Sequence, residues 1–229
     1  MEFTTNRELI ETLFRNEKVY KRKFKVKIDK GYPHSNLTET IIVQLYKIKV
    51  PTFIVEVGSM IGDSAVTMAK SLKKIDAYPD IICLDPFTGD VNMWAWEKDL
   101  IEKNQWRFIK VKNGRSTIRN RFEKNIMQEK LTDQIIPLEM TSLVGLRLLQ
   151  RLFHEDRLSK LPDWIYLDSA HEFDETYVEA KTAFEVLSDD GILFGDDWDW
   201  SAVEHDITKF AKERSLSINF IGNHWYIEK

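Results

Sequence analysis

Three aspartates carry the clearest chemical signal in the sequence. Asp168 follows one short apolar run, and Asp196 and Asp197 follow the next run of the same kind. Because parallel strands joined by one crossover end at the same edge of a sheet, we expect the three carboxylates to lie together there. Such carboxylates repel one another unless a cation lies between them, and oxygen ligands favour a hard ion such as Mg²⁺ or Mn²⁺. The pattern predicts a metal site; the alternative is that Asp168 caps a helix while the aspartate pair forms an acidic loop.

One histidine lies beside these aspartates in the sequence. His171 comes three residues after Asp168 in the same strand-end loop, whereas the other four histidines have no comparable setting. An imidazole at this position can take a proton from a hydroxyl group bound nearby. We therefore interpret His171 as a general base, and the alternative is a solvated loop residue.

A glycine-containing loop lies between a predicted strand and a predicted helix. It begins at Glu56 and contains Gly58, which permits a sharp turn, and Gly62, which leaves room for a ligand at the helix N-terminus. Met60 stands where the dinucleotide-binding fingerprint has its middle glycine, and this disfavours a nucleotide-dependent oxidoreductase. We interpret the segment as a cofactor loop, with a plain strand-to-helix turn as the alternative.

Asp85 ends the second predicted strand. A carboxylate at that position can bind the two hydroxyls of a ribose, although an aspartate also starts many turns for local reasons. Together with the glycine loop, it predicts a nucleoside-containing ligand at the first crevice of the sheet.

Four tryptophans follow these strand ends, namely Trp94, Trp96, Trp198 and Trp200. Their flat faces suit the C–H surface of a sugar or an aromatic ring, so they fit the wall of an acceptor pocket. They fit helix packing against the sheet equally well.

The elements that would position these residues alternate along the chain. Apolar, β-branched runs predict parallel strands at 52–58, 81–85, 135–141, 164–168 and 191–197. Helical periodicity fills the intervals at 63–74, 120–131, 142–153 and 176–187. Two short strands about Gly222 end the chain. The predicted fold is therefore α/β: a doubly wound, mostly parallel sheet with helices on both faces and an antiparallel C-terminal hairpin.

Composition excludes several classes of protein. With 229 residues the chain suits one domain, predicted at 51–229 after an N-terminal lid or extension at 1–50. A net charge of −4 disfavours a broad nucleic-acid surface, and no apolar run approaches the roughly 18 residues of a membrane span. The lone Cys83 cannot form an internal disulfide. We expect a soluble cytoplasmic protein.

Taken together, these motifs resemble class I S-adenosylmethionine-dependent methyltransferases, specifically the macrocin O-methyltransferase-like, metal-dependent group that modifies sugar hydroxyls. The resemblance runs from about Thr52 to the C-terminus and includes the loop from Glu56 to Ser64. The resemblance is most specific in the acidic segments, because Asp196 and Asp197 follow Asp168 by 28 and 29 residues, as in that family. Catechol-type relatives usually carry Asp-Asn where this chain has Asp-Asp, which favours the sugar-modifying branch.

The resemblance implies a role for each site residue. The cofactor-binding set would be Glu56, Gly58, Ser59, Gly62, Asp63, Ser64 and Asp85. The metal ligands would be Asp168, Asp196 and Asp197, with His171 as the catalytic base.

The resulting hypothesis is a Mg²⁺- or Mn²⁺-dependent transfer of a methyl group from S-adenosylmethionine to a hydroxyl of a sugar or glycan. The alternatives are an O-methyltransferase of a small phenolic or polyketide metabolite, and a non-catalytic binding module on the same fold. A hydroxyl-bearing small molecule is the expected partner, without nucleic acid or membrane, and a homo-oligomer is left open.

Overall fold

A seven-stranded sheet organises the chain in a computed structural model that describes residues 4–20, 36–94, 109–169 and 171–229. Its strand order is β3-β2-β1-β4-β5-β7-β6. The strands are β1 (Phe53–Val57), β2 (Asp80–Leu84), β3 (Ile135–Leu138), β4 (Trp164–Leu167), β5 (Ile192–Gly195), β6 (Asn219–Ile221) and β7 (His224–Glu228).

Helices connect most of these strands and cover both faces of the sheet. Those within the described residues are α1 (Thr4–Thr12), α2 (Glu39–Ile48), α3 (Asp63–Lys74), α4 (Val91–Trp94), α5 (Ile118–Gln128), α6 (Ser142–His154), α7 (Glu175–Val186) and α8 (Ser201–Arg214).

The strand directions confirm the predicted fold class. Strands β1 to β5 pair in parallel, whereas β7 pairs antiparallel with β5 and with β6. The proline within β3, Pro137, is accommodated because β3 pairs on one side only, with β2, in the described structure. The sheet is therefore doubly wound, with an antiparallel hairpin at its C-terminal edge.

Each of the parallel strands β1 to β5 buries both of its faces, since its side chains alternate between two apolar clusters. Val55 belongs to the cluster that also contains Leu149 of α6 and Phe210 of α8. Its neighbour Ile54 belongs to the opposite cluster, which contains Met68 of α3. This two-sided burial is why the strands appear in the sequence as continuous apolar runs rather than as alternating patterns.

The first helix lies at the edge of the sheet where the strands begin. The Thr5 backbone N–H donates to Asp80 Oδ2 at 2.9 Å, and the Asn6 side chain donates to the carbonyls of Asp133 and Gln134, each at 2.8 Å. Because Asp80 begins β2, α1 lies opposite the edge where the predicted site residues are found. The lid role predicted for residues 1–50 stays a prediction. Residues 1–3 and 21–35 of this segment lie outside the described residues.

Among the described residues, no helix combines the length and apolar character needed to cross a membrane. The cytoplasmic location stays a prediction.

Candidate active site

The carboxyl ends of the parallel strands open into a cavity of about 630 Å³. Most of the residues singled out in the sequence line it, namely Gly58, Ser59, Asp63, Ser64, Asp85, Asp168, His171, Asp196 and Asp197. Glu56 and Gly62 are not among the residues that line it. The fold thus brings the glycine loop and the acidic cluster to one cavity.

Gly58 is required by a close approach between two loops. Its φ is 87°, and a Cβ built there would lie 2.1 Å from the carbonyl oxygen of Asp168. Its N–H donates to the Leu84 carbonyl at 2.9 Å, which ties the turn after β1 to the end of β2. Only glycine combines this conformation with this contact.

A glycine is required at position 62 for a different physical reason. It also has a positive φ, 85°, but a Cβ there would meet Phe122 and Ile126 at 3.0 Å. The glycine therefore makes room for helix α5, whereas the sequence analysis expected room for a ligand. Its role in cofactor binding stays a prediction.

Asp85 joins the glycine loop to the segment after β2. Its Oδ2 accepts the Met60 N–H at 2.6 Å, and its Oδ1 accepts the Phe87 N–H at 2.5 Å. Both donor residues have a positive φ, so the carboxylate holds two backbone turns in place. Burial raises the pKa of Asp85, and the backbone N–H groups of Met60, Phe87 and Ser59 oppose that change. A carboxylate has about four lone pairs, so Asp85 keeps acceptor capacity for a ligand hydroxyl.

Glu56 lies beneath the loop rather than in the cavity wall. It is fully buried on β1, and the Cys83 thiol donates to its Oε2 at 3.3 Å. Burial raises the pKa of Glu56, so this carboxyl favours its neutral form more than an exposed glutamate does.

The predicted acidic cluster is assembled at the ends of β4 and β5. Desolvation and the nearby charges of Asp196 and Asp197 raise the pKa of Asp168 to about 7. The Tyr166 hydroxyl donates to Asp168 Oδ2 at 3.2 Å and favours its charged form. The carboxylates therefore lie close enough to repel one another, as the sequence analysis expected.

The donor atoms fit a divalent ion. Within the described part of the chain, one oxygen each from Asp168 and Asp197 and one ring nitrogen of His171 lie within 4.8 Å of one another. Asp196 is not part of that group, although its charge raises the pKa of Asp168. A cation among these atoms would offset the repulsion that raises this pKa.

Asp196 is instead surrounded by protein groups. Its Oδ1 accepts the Asp197 N–H at 2.7 Å and lies 3.7 Å from His224 Nε2. The Asn36 side chain also forms a hydrogen bond with it, which favours the charged form, although burial raises its pKa overall. No sequence pattern indicates that Asn36 and His224 would meet Asp196, because neither is near it in the chain.

His171 lies between two acids at the cavity wall. Its Nε2 is 2.6 Å from Asp197 Oδ2, and its Nδ1 is 3.9 Å from Asp90 Oδ2. Desolvation lowers the pKa of His171, but the hydrogen bond with Asp197 and the surrounding negative charges outweigh it and raise the pKa. The histidine is thus held in place, and its basicity depends on the charge state of the acids around it.

The four tryptophans divide between packing and the site. Trp198 is partly buried with its ring edge-on to Phe220 at 4.8 Å. Trp200 is 42% exposed, and its ring lies 4.9 Å from that of His171. Trp94 is exposed, with its indole N–H held by the Thr88 carbonyl at 2.7 Å, and Trp96 lies outside the described residues. Trp200 is therefore the tryptophan placed beside the proposed base.

The cavity contains further acids that the sequence analysis did not single out. They are Asp90, Glu172, Glu175 and Glu179. Glu179 Oε2 accepts the Ser169 hydroxyl at 2.7 Å, which ties the residue after Asp168 to α7. No local pattern identifies these acids as cavity residues, because acidic residues are also common in the first turns of exposed helices.

Comparison with known proteins identifies the family. Residues 55–198 match the family model of a methyltransferase domain, whereas a comparison with curated proteins finds no match. Among solved structures, the calicheamicin methyltransferase CalS11 is 15% identical, with 83% of this chain and 77% of that chain covered and a TM-score of 0.56. The O-methyltransferase NovP is 14% identical, with 83% and 78% covered and a TM-score of 0.57.

A third structure, the O-methyltransferase from Bacillus cereus in complex with SAH, is 14% identical, with 87% and 84% covered and a TM-score of 0.55. At these identities the similarity concerns the fold, and the family match covers well over half of the chain. The strand order, the cavity at the strand ends and the matched domain agree: the chain belongs to the methyltransferase-domain family of enzymes and has the class I S-adenosylmethionine-dependent methyltransferase fold.

Proposed function

We propose that this protein transfers the methyl group of S-adenosylmethionine to a hydroxyl of a sugar or glycan and requires a divalent ion, Mg²⁺ or Mn²⁺. The observation that carries the proposal is the convergence of Asp168, His171 and Asp197 in the same cavity as the glycine loop. A cofactor loop alone would suit any methyltransferase. Two acids and a histidine beside it suit the activation of a hydroxyl.

The cofactor is held by the loop after β1 and by the end of β2. The methionyl part lies along the segment from Gly58 to Ser64, where Ser59, Asp63 and Ser64 line the cavity. The ribose hydroxyls donate to Asp85, whose carboxylate keeps acceptor capacity beyond its backbone hydrogen bonds. Glu56 supports this loop from below.

Asp168 and Asp197 would hold the ion together with Asp196, whose carboxylate lines the same cavity but lies outside the closely spaced group of ligand atoms. When bound, a divalent ion supplies positive charge that stabilises a developing oxyanion on the acceptor. The raised pKa of Asp168 supports this assignment, because it reflects burial of the carboxyl together with the negative charge of Asp196 and Asp197. Asn36 and His224 hold Asp196 from the other side.

His171 accepts the proton of the acceptor hydroxyl. Its pKa is raised chiefly by Asp197, so neutralising that carboxylate lowers the pKa and frees the ring to act as a base. The acceptor oxygen then attacks the methyl carbon, and the new C–O bond forms as the S–C bond breaks. The products are the methylated acceptor, S-adenosylhomocysteine and a proton held on His171.

The acceptor class is proposed from the residues beside the base. Trp200 is 42% exposed and its ring lies 4.9 Å from that of His171; the C–H face of a pyranose can stack on the flat face of such a ring while its hydroxyls meet the acids. CalS11 is described as a TDP-rhamnose 3'-O-methyltransferase, which supports a sugar acceptor. The same flat face accepts a phenol, and one similar structure is a putative caffeoyl-CoA O-methyltransferase from Staphylococcus aureus, so a small phenolic acceptor is the second candidate.

Methyl transfer from labelled S-adenosylmethionine to a panel of glycosides and phenols tests the proposal. The full chain is assayed in excess chelator and again after addition of Mg²⁺ or Mn²⁺. We expect glycosides to be labelled only when the ion is present.

Asp168→Asn should abolish the labelling. The matched control is Asp76→Asn, because Asp76 is exposed and has a φ of 60° that asparagine tolerates. Full activity in chelator would refute the metal requirement, and labelling confined to phenols would refute the sugar acceptor.

A further inference from the structure

An aromatic layer lies directly beneath the acidic cluster. Tyr166 of β4 stacks on Phe194 of β5, with ring centroids 4.8 Å apart, and on His224 at the start of β7, with centroids 6.4 Å apart and planes 19° apart. Tyr166 and His224 each direct a polar atom toward a different acid. The Tyr166 hydroxyl donates to Asp168 at 3.2 Å, and His224 Nε2 lies 3.7 Å from Asp196 Oδ1.

His224 is an unusual residue for this layer if packing is its only role. Its side chain is 3% exposed, and neither ring nitrogen has a hydrogen-bond partner within the described residues. Burying a polar group without a partner costs free energy, and a phenylalanine of similar shape would avoid that cost. Among the described residues, the acid that lies within 4 Å of its ring is Asp196, and the charge of Asp197 also acts on it.

The C-terminal hairpin contacts Asp196 from both faces of the sheet. Trp225 is paired with Gly195, its indole N–H donates to the Asp196 carbonyl at 3.2 Å, and its ring occupies the space over Gly195. A Cβ on Gly195 would lie 2.4 Å from that ring. Trp225 thus fixes the backbone of Asp196, while His224, on the opposite face, faces its carboxylate.

We propose that His224 is a positioning residue for the ion site: its Nε2–H donates to Asp196 and orients that carboxylate toward the ion. The inference rests on the proposed function, because it assigns His224 to the same metal site. A short movement of the Asp196 side chain closes the 3.7 Å separation to hydrogen-bond distance. Partners of this kind commonly change metal affinity by about 10–100-fold.

The test is Mn²⁺ binding to the full chain, measured by electron paramagnetic resonance in the absence of cofactor and acceptor. His224→Phe keeps the stack on Tyr166 and removes both nitrogens, whereas His224→Gln places an N–H donor near the position of Nε2. The matched control is Tyr226→Phe, which removes a polar group from the same face of β7, two residues away. Thermal unfolding confirms that each variant is folded, and His224→Leu replaces the phenylalanine variant if that one does not fold.

We expect His224→Phe to weaken Mn²⁺ binding by about tenfold or more, while His224→Gln and Tyr226→Phe stay within about threefold of the wild type. Wild-type affinity in His224→Phe would overturn the inference. So would equal losses in the phenylalanine and glutamine variants, because an N–H donor near the position of Nε2 would then not restore the ion site. If the wild-type chain itself binds no Mn²⁺, the metal requirement of the proposed function fails, and the role of His224 fails with it.

Discussion

Replacing Asp168 by asparagine should stabilise the ion-free protein. The folded chain holds this carboxyl among Asp196 and Asp197, with a pKa of about 7 rather than the usual 3.8. Between these two pH values the folded state binds more protons at this group than the unfolded state does. The stability contributed by this group is therefore greatest below about pH 4 and is lost as the pH rises through about 7.

The size of the effect follows from the two pKa values. Their difference, at about 1.4 kcal/mol per pH unit, corresponds to about 4 kcal/mol once the carboxylate is fully charged. That difference already includes the attraction between Asp168 and His171, and the asparagine amide must replace the hydrogen bonds of the carboxyl at some cost. We therefore expect a net gain of about 1–3 kcal/mol in the free energy of unfolding at pH 8, or about 2–12 °C in Tm.

The assay is thermal and urea unfolding of the full chain in excess chelator, at pH 5 and at pH 8. The gain should be about 2–3 kcal/mol smaller at pH 5 than at pH 8, because folded Asp168 is mostly protonated at pH 5 although the unfolded carboxyl is already ionised there. Asp76→Asn should change neither value, because Asp76 is exposed. An Asp168→Asn protein that is no more stable than the wild type at pH 8, or that gains equally at both pH values, would refute the reasoning.

Three further variants test other contacts of the site. Asp85→Ala should weaken S-adenosylmethionine binding by about 1–3 kcal/mol in calorimetry, since charge-assisted hydrogen bonds are lost; an unchanged Kd would remove Asp85 from the cofactor site. His171→Ala should lower kcat by about 10²–10⁴-fold and leave cofactor affinity nearly unchanged, whereas a wild-type kcat would make His171 a structural residue. Gly58→Ala should destabilise the fold by about 3 kcal/mol or more, because its Cβ would lie 2.1 Å from the Asp168 carbonyl oxygen. The control is Gly222→Ala, because Gly222 also has a positive φ but a Cβ there would meet no atom within 4 Å. It should lower the free energy of unfolding by only about 1 kcal/mol in a denaturant titration. Equal losses of stability in both glycine variants would contradict the contact argument.

Much of the fold was predictable from local patterns. Runs such as Ile81 to Leu84 are apolar on both faces, and only a strand covered on both sides buries such a run. Their alternation with helical segments implies parallel pairing, and parallel pairing brings the strand ends to one edge. That is why Asp85, Asp168 and Asp197 were expected to meet in one cavity, and all three line it.

Other features depend on which segments meet in space, and no local pattern reports them. The space beside Gly62 is filled by Phe122, sixty residues away, so a glycine is needed there because a helix packs against it. Asn36 reaches Asp196 from the N-terminal segment, and His224 reaches it because β7 pairs antiparallel with β5 in a register that sets Trp225 opposite Gly195.

The sequence by itself therefore determined the type and order of the elements and the acids at the strand ends, because these follow from periodicity and chain direction. Tertiary structure alone decided what surrounds each acid. Asp168, His171 and Asp197 bring their ligand atoms together, whereas Asp196 lies against His224. This grouping depends on strand register and on loop contacts between distant segments. A one-residue slip of β7 would turn His224 to the opposite face of the sheet without altering any local sequence pattern.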